Sequence, residues 1–559
     1  MNLFNHHRLS RRRLLQTAGS VSSVVLLACT KEVNAQGTDI KPATEFSGTA
    51  LTPTMPQPDS AANVRRLQAY QLRVMQAGRH IQGAIAAQPT NGDEERYPDY
   101  LASYSKALPH NDRGEVIPVA YNALLAALRG ESDYTQIPLG GDMRLANPQA
   151  ALAYQLEGAD SHDFVIAAPP TFESQETAGE MLELYWRALT RDVPFSDYGQ
   201  EELTATAVSD LIHFPYFANW GDQRLFRGET PGDLLGPYIS QFLTLPIPYG
   251  ATTITQMYRV PEAGDDYMTD YTEWLRCQNG ALTTVTNKWD AQPRYLRSGR
   301  DLGEYVHQDF SYQAFLNAAL ILSSFGRPAL NKTNPYKTAA NQGGFVTFGA
   351  PDVLSLVAQV ATLALKAAWA QKWLFHRRLR PEMFAGRFHQ QSQAVMTYPI
   401  HAQLAETQAP QYLLNQWGNL LLPQAYPEGC PAHPAYPGGH ATIAGACVTI
   451  LKAFYDETFI IPNPQFADRN GLKLLPYKNN EALTIGNELN KLAANMSLGR
   501  DFAGVHWRSD NIQGLLLGEA VALGLLADVV FTYPEAKSGF ELTRFDGSTV
   551  TIQGDVHYG

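Results

Sequence analysis

His433-Pro434-Ala435-Tyr436-Pro437-Gly438-Gly439-His440-Ala441-Thr442 closes a Pro/Gly-rich connection and runs directly into an apolar stretch that reads as a helix over 440–455. Adjacent glycines at a helix start let bare backbone N–H groups approach an anion, and the positive end of the helix dipole favours its charge. His440 stands at that point, placed to give or take a proton. A Pro-Gly-Gly turn is common loop chemistry, so its meaning depends on what the rest of the chain brings to it.

Two further segments concentrate cations and imidazoles. Upstream, Lys372-Trp373-Leu374-Phe375-His376-Arg377-Arg378-Leu379-Arg380-Pro381-Glu382 ends a helical stretch expected over 353–378. Pro381 disfavours helical geometry at Arg380, so the helix carrying Lys372 should stop there and Arg380 can turn inward from its end. Taken alone, such a basic run reads as a solvated face. Downstream, Leu498-Gly499-Arg500-Asp501-Phe502-Ala503-Gly504-Val505-His506-Trp507-Arg508-Ser509-Asp510 leads into a third helical stretch over 505–531. His506 and Asp510 lie four apart and share a helix face, so the carboxylate can orient the imidazole; a surface salt bridge is the alternative for Asp510. Together the segments make a poor hydrophobic core and a suitable cradle for a multiply charged oxyanion.

Strand signals are sparse outside 548–556, so the fold class is mainly α. Helical periodicity also marks 61–87, 119–128 and 178–189, read as packing helices, whereas 212–341 is loop-heavy and yields no chemistry. The expected organisation is an export signal over 1–35, a linker over 36–60, a helical and loop-rich region over 61–350, a catalytic helical bundle over 351–535 and a tail over 536–559. The signal rests on Arg11-Arg12 before the apolar run 21–28, a pattern resembling twin-arginine export to the periplasm or exterior. Leu26-Leu27-Ala28-Cys29 resembles a lipobox that would tether the protein to a membrane by a lipid on Cys29, and Val33-Asn34-Ala35 is the competing cleavage site. Later apolar stretches do not read as spans, since even 515–530 is interrupted by Glu519 and Asp528. A net charge of −11 argues against nucleic acid as a partner. Cys29, Cys277, Cys430 and Cys447 are too scattered for a disulfide framework or a zinc site, which leaves one disulfide or free buried thiols.

The order and spacing of the three segments resemble the vanadium-dependent haloperoxidase branch of the superfamily shared with type-2 phosphatidic acid phosphatases and bacterial acid phosphatases, over roughly 353–530. That family pairs a Lys with an Arg-Pro, adds a Ser-Gly-His turn, and ends on an Arg followed six positions later by His. The matching positions are Lys372, Arg380-Pro381, Gly438-Gly439-His440, and Arg500 with His506, Gly438 replacing the serine. The long gap from Lys372 to Arg380 and the 60 residues from His440 to Arg500 are similar to the algal bromoperoxidases, as are His433 and Trp369 near the metal.

The resemblance implies an architecture of two four-helix bundles, a vanadate cofactor without haem or flavin, and hydrogen peroxide with bromide or iodide as substrates. It implies His506 as the single ligand to vanadium, with Lys372, Arg380, Arg500 and the Gly438–Gly439 turn holding the vanadate oxygens. Lys372 would polarise the bound oxygen and His440 would relay protons, with His433, Trp369 and Asp510 as halide and supporting residues. Because the serine hydroxyl is missing, Gly438→Ser is expected to bind vanadate more tightly if the backbone there tolerates a side chain. Homodimers are common in this group. The rival reading is an acid phosphatase working through a phosphohistidine at His506, and a third is a non-catalytic oxyanion-binding protein.

Overall fold

The structure, a computed structural model, describes residues 61–81, 87–479, 481–535 and 539–553; the expected signal, linker and Cys29 lie outside them. The chain divides into two units, Met1–Ile85 and Ala86–Gly559, so both the loop-rich region from 87 and the motif-bearing region belong to one unit. In the first unit the described element is helix α1, Ala61–Ile81.

The second unit begins with α2 (Asp93–Arg96), α3 (Pro118–Leu128), α4 (Gln175–Thr190), α5 (Glu202–Leu211), α6 (Tyr271–Gln278), α7 (Gly299–Gln308) and α8 (Gln313–Ser324). Then follow α9 (Ala350–Ala370), α10 (Pro381–Ser392), α11 (Ala409–Trp417), α12 (Gly439–Phe454), α13 (Ile485–Phe502) and α14 (Arg508–Val529). The strands form three antiparallel two-stranded hairpins: β1 (Ile247–Tyr249) with β2 (Thr252–Ile254), β3 (Gln465–Ala467) with β4 (Leu474–Pro476), and β5 (Gly539–Thr543) with β6 (Thr549–Gln553).

Helix α12 is buried along almost its whole length, as a helix apolar all round must be, and it packs against α9, α13 and α14. Its contact with α14 is backbone to backbone. A Cβ on Gly518 would stand 2.0 Å from the Thr442 carbonyl oxygen, and one on Gly445 would stand 2.2 Å from that of Leu515. Small residues at these crossings let the two helices close up along their first turns, which carry His440 and Asp510. Helix α4, with α5 and α11 beside it, presents the buried carboxylates Glu180 and Glu183 toward Arg378, ahead of α10, and the start of α14.

Three details depart from the sequence expectation. Helix α9 ends at Ala370 and continues as a π-helical turn, Gln371–His376, before Arg377 takes a left-handed conformation at φ 32°. Arg380 is therefore the N-cap of the next helix rather than the end of the previous one. The helix expected over 505–531 is α14, Arg508–Val529, but α13 before it was not expected: Arg500 sits on it, and its Asn490, Lys491, Asn495, Ser497, Arg500 and Asp501 are all buried. Buried polar residues erase the apolar periodicity by which a helix is read. Finally, Ala350–His376 and Arg508–Thr532 are long and apolar enough to cross a membrane, with 56% and 61% of their most apolar windows buried inside the fold. Cys277, Cys430 and Cys447 are free, buried thiols.

The α12–α14 contact predicts that Gly518→Ala or Gly445→Ala lowers stability by roughly 2–3 kcal/mol, because the clashing atoms are backbone and cannot rotate away. Gly221→Ala, with open space around its Cβ, should be neutral in the same denaturant titration.

Candidate active site

The three motif segments meet at the start of α12. The Arg380 guanidinium, fully buried, donates through Nε to the His433 carbonyl (3.0 Å) and through Nη2 to His433 Nδ1 (3.0 Å). Its Nη1 donates to the Val505 carbonyl (2.6 Å) and to His506 Nε2 (3.0 Å). One side chain thereby ties the first segment to the other two. Lys372 lies in the π-helical turn, the kind of local insertion that often marks a functional site, and its Nζ donates to the carbonyls of Pro434 (2.9 Å) and Ala435 (2.7 Å). Arg500 donates through Nη1 to the Val306 carbonyl (2.9 Å) and the Tyr426 hydroxyl (3.1 Å), while its Nε is buried with no protein partner.

Among the described residues none of these three cations forms an ion pair, whereas their buried neighbours do. Arg377 pairs with Glu94, Arg378 with Glu180 and Asp510, and Arg508 with Glu183, so the basic run around 377–380 is not the solvated face it resembles in sequence. Burial, with Arg380 and Arg500 nearby, holds the Lys372 amine well below its ordinary range, and burial likewise lowers Arg380. Unpaired buried charge of one sign is costly unless an anion joins it. The orphaned Arg500 Nε and the converging donors suit a multiply charged oxyanion.

His506 is oriented for such a group. Its Nδ1 donates to Asp510 Oδ2 (2.8 Å), and because guanidinium can only donate, Nε2 must carry a lone pair. Asp510 also accepts from the Trp507 N–H (3.0 Å) and from Arg378 Nη1 (2.9 Å). Arg378 in turn reaches Glu180 (2.9 Å), whose other oxygen accepts from the Ser509 N–H (2.6 Å). Between Arg500 and His506 the chain turns at Gly504, φ +83°, where a side chain would also strike Gln424. That turn is why Arg500 on α13 and His506 in the connection before α14, six residues apart, face one site.

His440 Nε2 meets Asp309 Oδ1 at 3.0 Å, with the imidazole about a quarter exposed. Gly439 opens α12 with room beside it, its nearest neighbour being Trp369, 3.5 Å from where a Cβ would stand. Gly438 differs from expectation: its N–H is engaged by the Asp510 carbonyl (2.8 Å), so it contributes position rather than a donor to the cradle. Its backbone, φ −65° and ψ 122°, suits any residue, but a Cβ would lie 2.9 Å from Asn511 Oδ1, and that crowding rather than strain opposes a serine there. His433 lies against Trp369 with ring centroids 4.8 Å apart.

All the sequence-derived site residues therefore assemble in one place. Those missed are Asp309, Val306 and Tyr426, which come from the loop-heavy region and the 426–430 connection, where no periodicity gives a helical phase to align them with the motifs.

Burial holds His433 and His506 well below the ordinary imidazole value of 6.5, with Arg380 and Lys372 acting in the same direction. A depressed folded value means that below about pH 6.5 the unfolded chain binds protons that the folded one refuses, so stability is full above that pH and lost as pH falls. The anion-free protein should show a falling Tm from pH 7 to 5, and orthovanadate or phosphate should restore several degrees of it. A Tm independent of both pH and anion would show that the cradle is not charged as described.

The family model described as the VCPO second helical-bundle domain matches residues 353–531. The vanadium-dependent bromoperoxidase of Corallina officinalis is 34% identical, covering 83% of this chain and 92% of its own length. That of Ascophyllum nodosum is 34% identical over 88% of this chain and 93% of its own. A solved structure, the homohexameric second vanadate-dependent bromoperoxidase of Ascophyllum nodosum, superposes with a TM-score of 0.84 at 28% identity, over 95% of this chain and 96% of that one. With the cation cradle, the bare His506 nitrogen and the helical bundle all in place, this chain belongs to the vanadium-dependent bromoperoxidase family.

Proposed function

We propose that this protein is a vanadate-dependent peroxidase that converts hydrogen peroxide and bromide or iodide to hypohalous acid. The observation that carries the reading is the set of buried cations lacking carboxylate partners around a histidine nitrogen whose lone pair faces them. His506 Nε2 would ligate the vanadium, and Lys372, Arg380, Arg500 and the Gly439 N–H would hold the oxygens. Bound vanadate supplies a Lewis acid that activates peroxide toward halide.

The chain's own groups do the rest. Asp510 keeps the His506 proton on Nδ1 and so keeps Nε2 available. Burial and its cationic neighbours lower the Lys372 amine, and a bound oxyanion would offset that by stabilising its charged form. Asp309 orients His440, which accepts a proton from entering peroxide and returns one to the departing oxygen. His433, against Trp369 and neutral, offers a weakly polar halide subsite, which favours bromide and iodide over the harder-to-oxidise chloride.

The reading includes export by the amino-terminal segment, supported by Arg11-Arg12 and the apolar run after it, with Cys29 as a candidate lipid anchor. It also includes assembly from several copies, rather than the homodimer that the family resemblance made possible. Tyr154 and Leu156, 83% and 94% exposed, are apolar enough to be covered in such an assembly, and the solved relative is a homohexamer.

Protein freed of vanadate should gain bromide and iodide oxidation with orthovanadate, and phosphate should compete; phosphate-ester hydrolysis without halide oxidation would favour the phosphatase instead. His506→Ala should lose vanadate binding, while His440→Ala should retain it and slow turnover about 100-fold or more. Asp309→Asn should retain it and slow turnover roughly tenfold. Equal metal content in His506→Ala and the parent protein would remove His506 as the ligand. Arg11→Lys with Arg12→Lys should leave the protein in the cytoplasmic fraction, and normal fractionation would refute twin-arginine export.

A further inference from the structure

The end of α7 touches both working halves of the site. The Val306 carbonyl accepts from Arg500 (2.9 Å), and Asp309 pairs with His440 (3.0 Å). Between them, His307 reaches a carboxylate with each ring nitrogen: Nδ1 to Glu304 Oε2 (3.1 Å) on its own helix, and Nε2 to Glu428 Oε1 (2.7 Å) on the connection leading to His433. Its ring lies flat on Tyr426, with centroids 3.8 Å apart and planes within 10°. The Tyr426 hydroxyl donates to the Gly303 carbonyl (2.6 Å) and accepts from Arg500 Nη1 (3.1 Å). The Glu428 backbone is anchored separately, its carbonyl accepting from buried Lys106 (2.8 Å), which leaves the Glu428 carboxylate to His307 and its own backbone N–H.

We propose that His307 is a positioning residue: its imidazolium clamps α7 to the 426–428 connection and thereby sets where Arg500 and Asp309 stand, and with them oxyanion affinity and the His440 proton path. This rests on the vanadate reading of the same site. A neutral imidazole has one N–H and one lone pair and can donate to only one of the two carboxylates, so the double clamp requires the cation. Burial opposes that charge, but the hydrogen bonds to Glu304 and Glu428 outweigh it and hold the imidazole up to about 9. The charged and titratable groups around it are Glu304, Glu428, Asp309 and Tyr426, with Arg500 beyond Tyr426 and Lys106 beyond Glu428.

The test is orthovanadate affinity of the full-length, vanadate-free protein, measured by titration calorimetry from pH 7 to 10. Each variant is read as its ratio to the parent protein at the same pH, which cancels the ionisation of vanadate itself. His307→Gln, whose uncharged amide carries both its N–H groups on one nitrogen and so replaces neither the charge nor the two opposed donors of the imidazolium, should bind roughly tenfold more weakly at pH 7, with the ratio returning toward one above about pH 9, where the parent loses its own clamp. Glu428→Gln can accept a neutral His307 by donating to it, so it should bind within about twofold at pH 7 and more tightly than the parent protein above pH 9. If His307→Gln is too unstable to purify, the Glu428→Gln arm decides alone. A ratio of one at every pH in the variants measured overturns the clamp, whereas a parent protein that binds no vanadate overturns the functional reading beneath it.

Discussion

Lys372, Arg380 and Arg500 are buried together with backbone carbonyls as their main protein acceptors and, among the described residues, no carboxylate as a partner. Carbonyl dipoles from His433, Pro434, Ala435, Val505 and Val306 soften the desolvation of these cations without cancelling their charge. The available acids are placed one layer out, where Glu94, Glu180, Glu183 and Asp510 neutralise Arg377, Arg378 and Arg508. The inner layer is left electropositive, and the outer layer holds its backbone in position. A site whose charge is arranged before the anion arrives needs little reorganisation when it does.

That arrangement needs the starts of α12 and α14 to lie close enough for one anion to meet both. Glycines supply the closeness, since Gly445 and Gly518 leave no room for a methyl group against the facing backbone. The same approach brings the Gly438 N–H onto the Asp510 carbonyl, linking the turn before His440 to the residue that orients His506. Loss of the family's serine hydroxyl at Gly438 is thus accompanied by close packing of Asn511 against the glycine. His440 and His506 are held in place by one helix contact.

Much of the site is visible in the chain order. Lys372, Arg380, His433, the Gly438–Gly439 turn, His440, Arg500 and His506 stand in short motifs that taken together point to an oxyanion, and the structure gathers them. Helices α4, α9 and α12 show their apolar periodicity and appear close to where it places them. Helix α13 does not, because its buried face is rich in Asn, Lys, Ser, Arg and Asp, which read as surface until their partners are known. The π-helical turn at Lys372 is equally silent in sequence, since nothing in its composition distinguishes it from one more α-helical turn.

The chain by itself therefore determined the candidate site residues and the class of anion, because charge, imidazole and bare glycine backbone are properties of residue type and local spacing. Only the tertiary structure decided which acids answer which bases. Asp309 reaches His440 from 131 positions away and Glu180 reaches Arg378 from 198. Tyr426 and His307 join Arg500 through a stack between separate segments. Such pairings follow from packing many helices at once, a non-local condition that leaves no period or motif in the sequence, and they settle which buried cations are neutralised and which are left to bind.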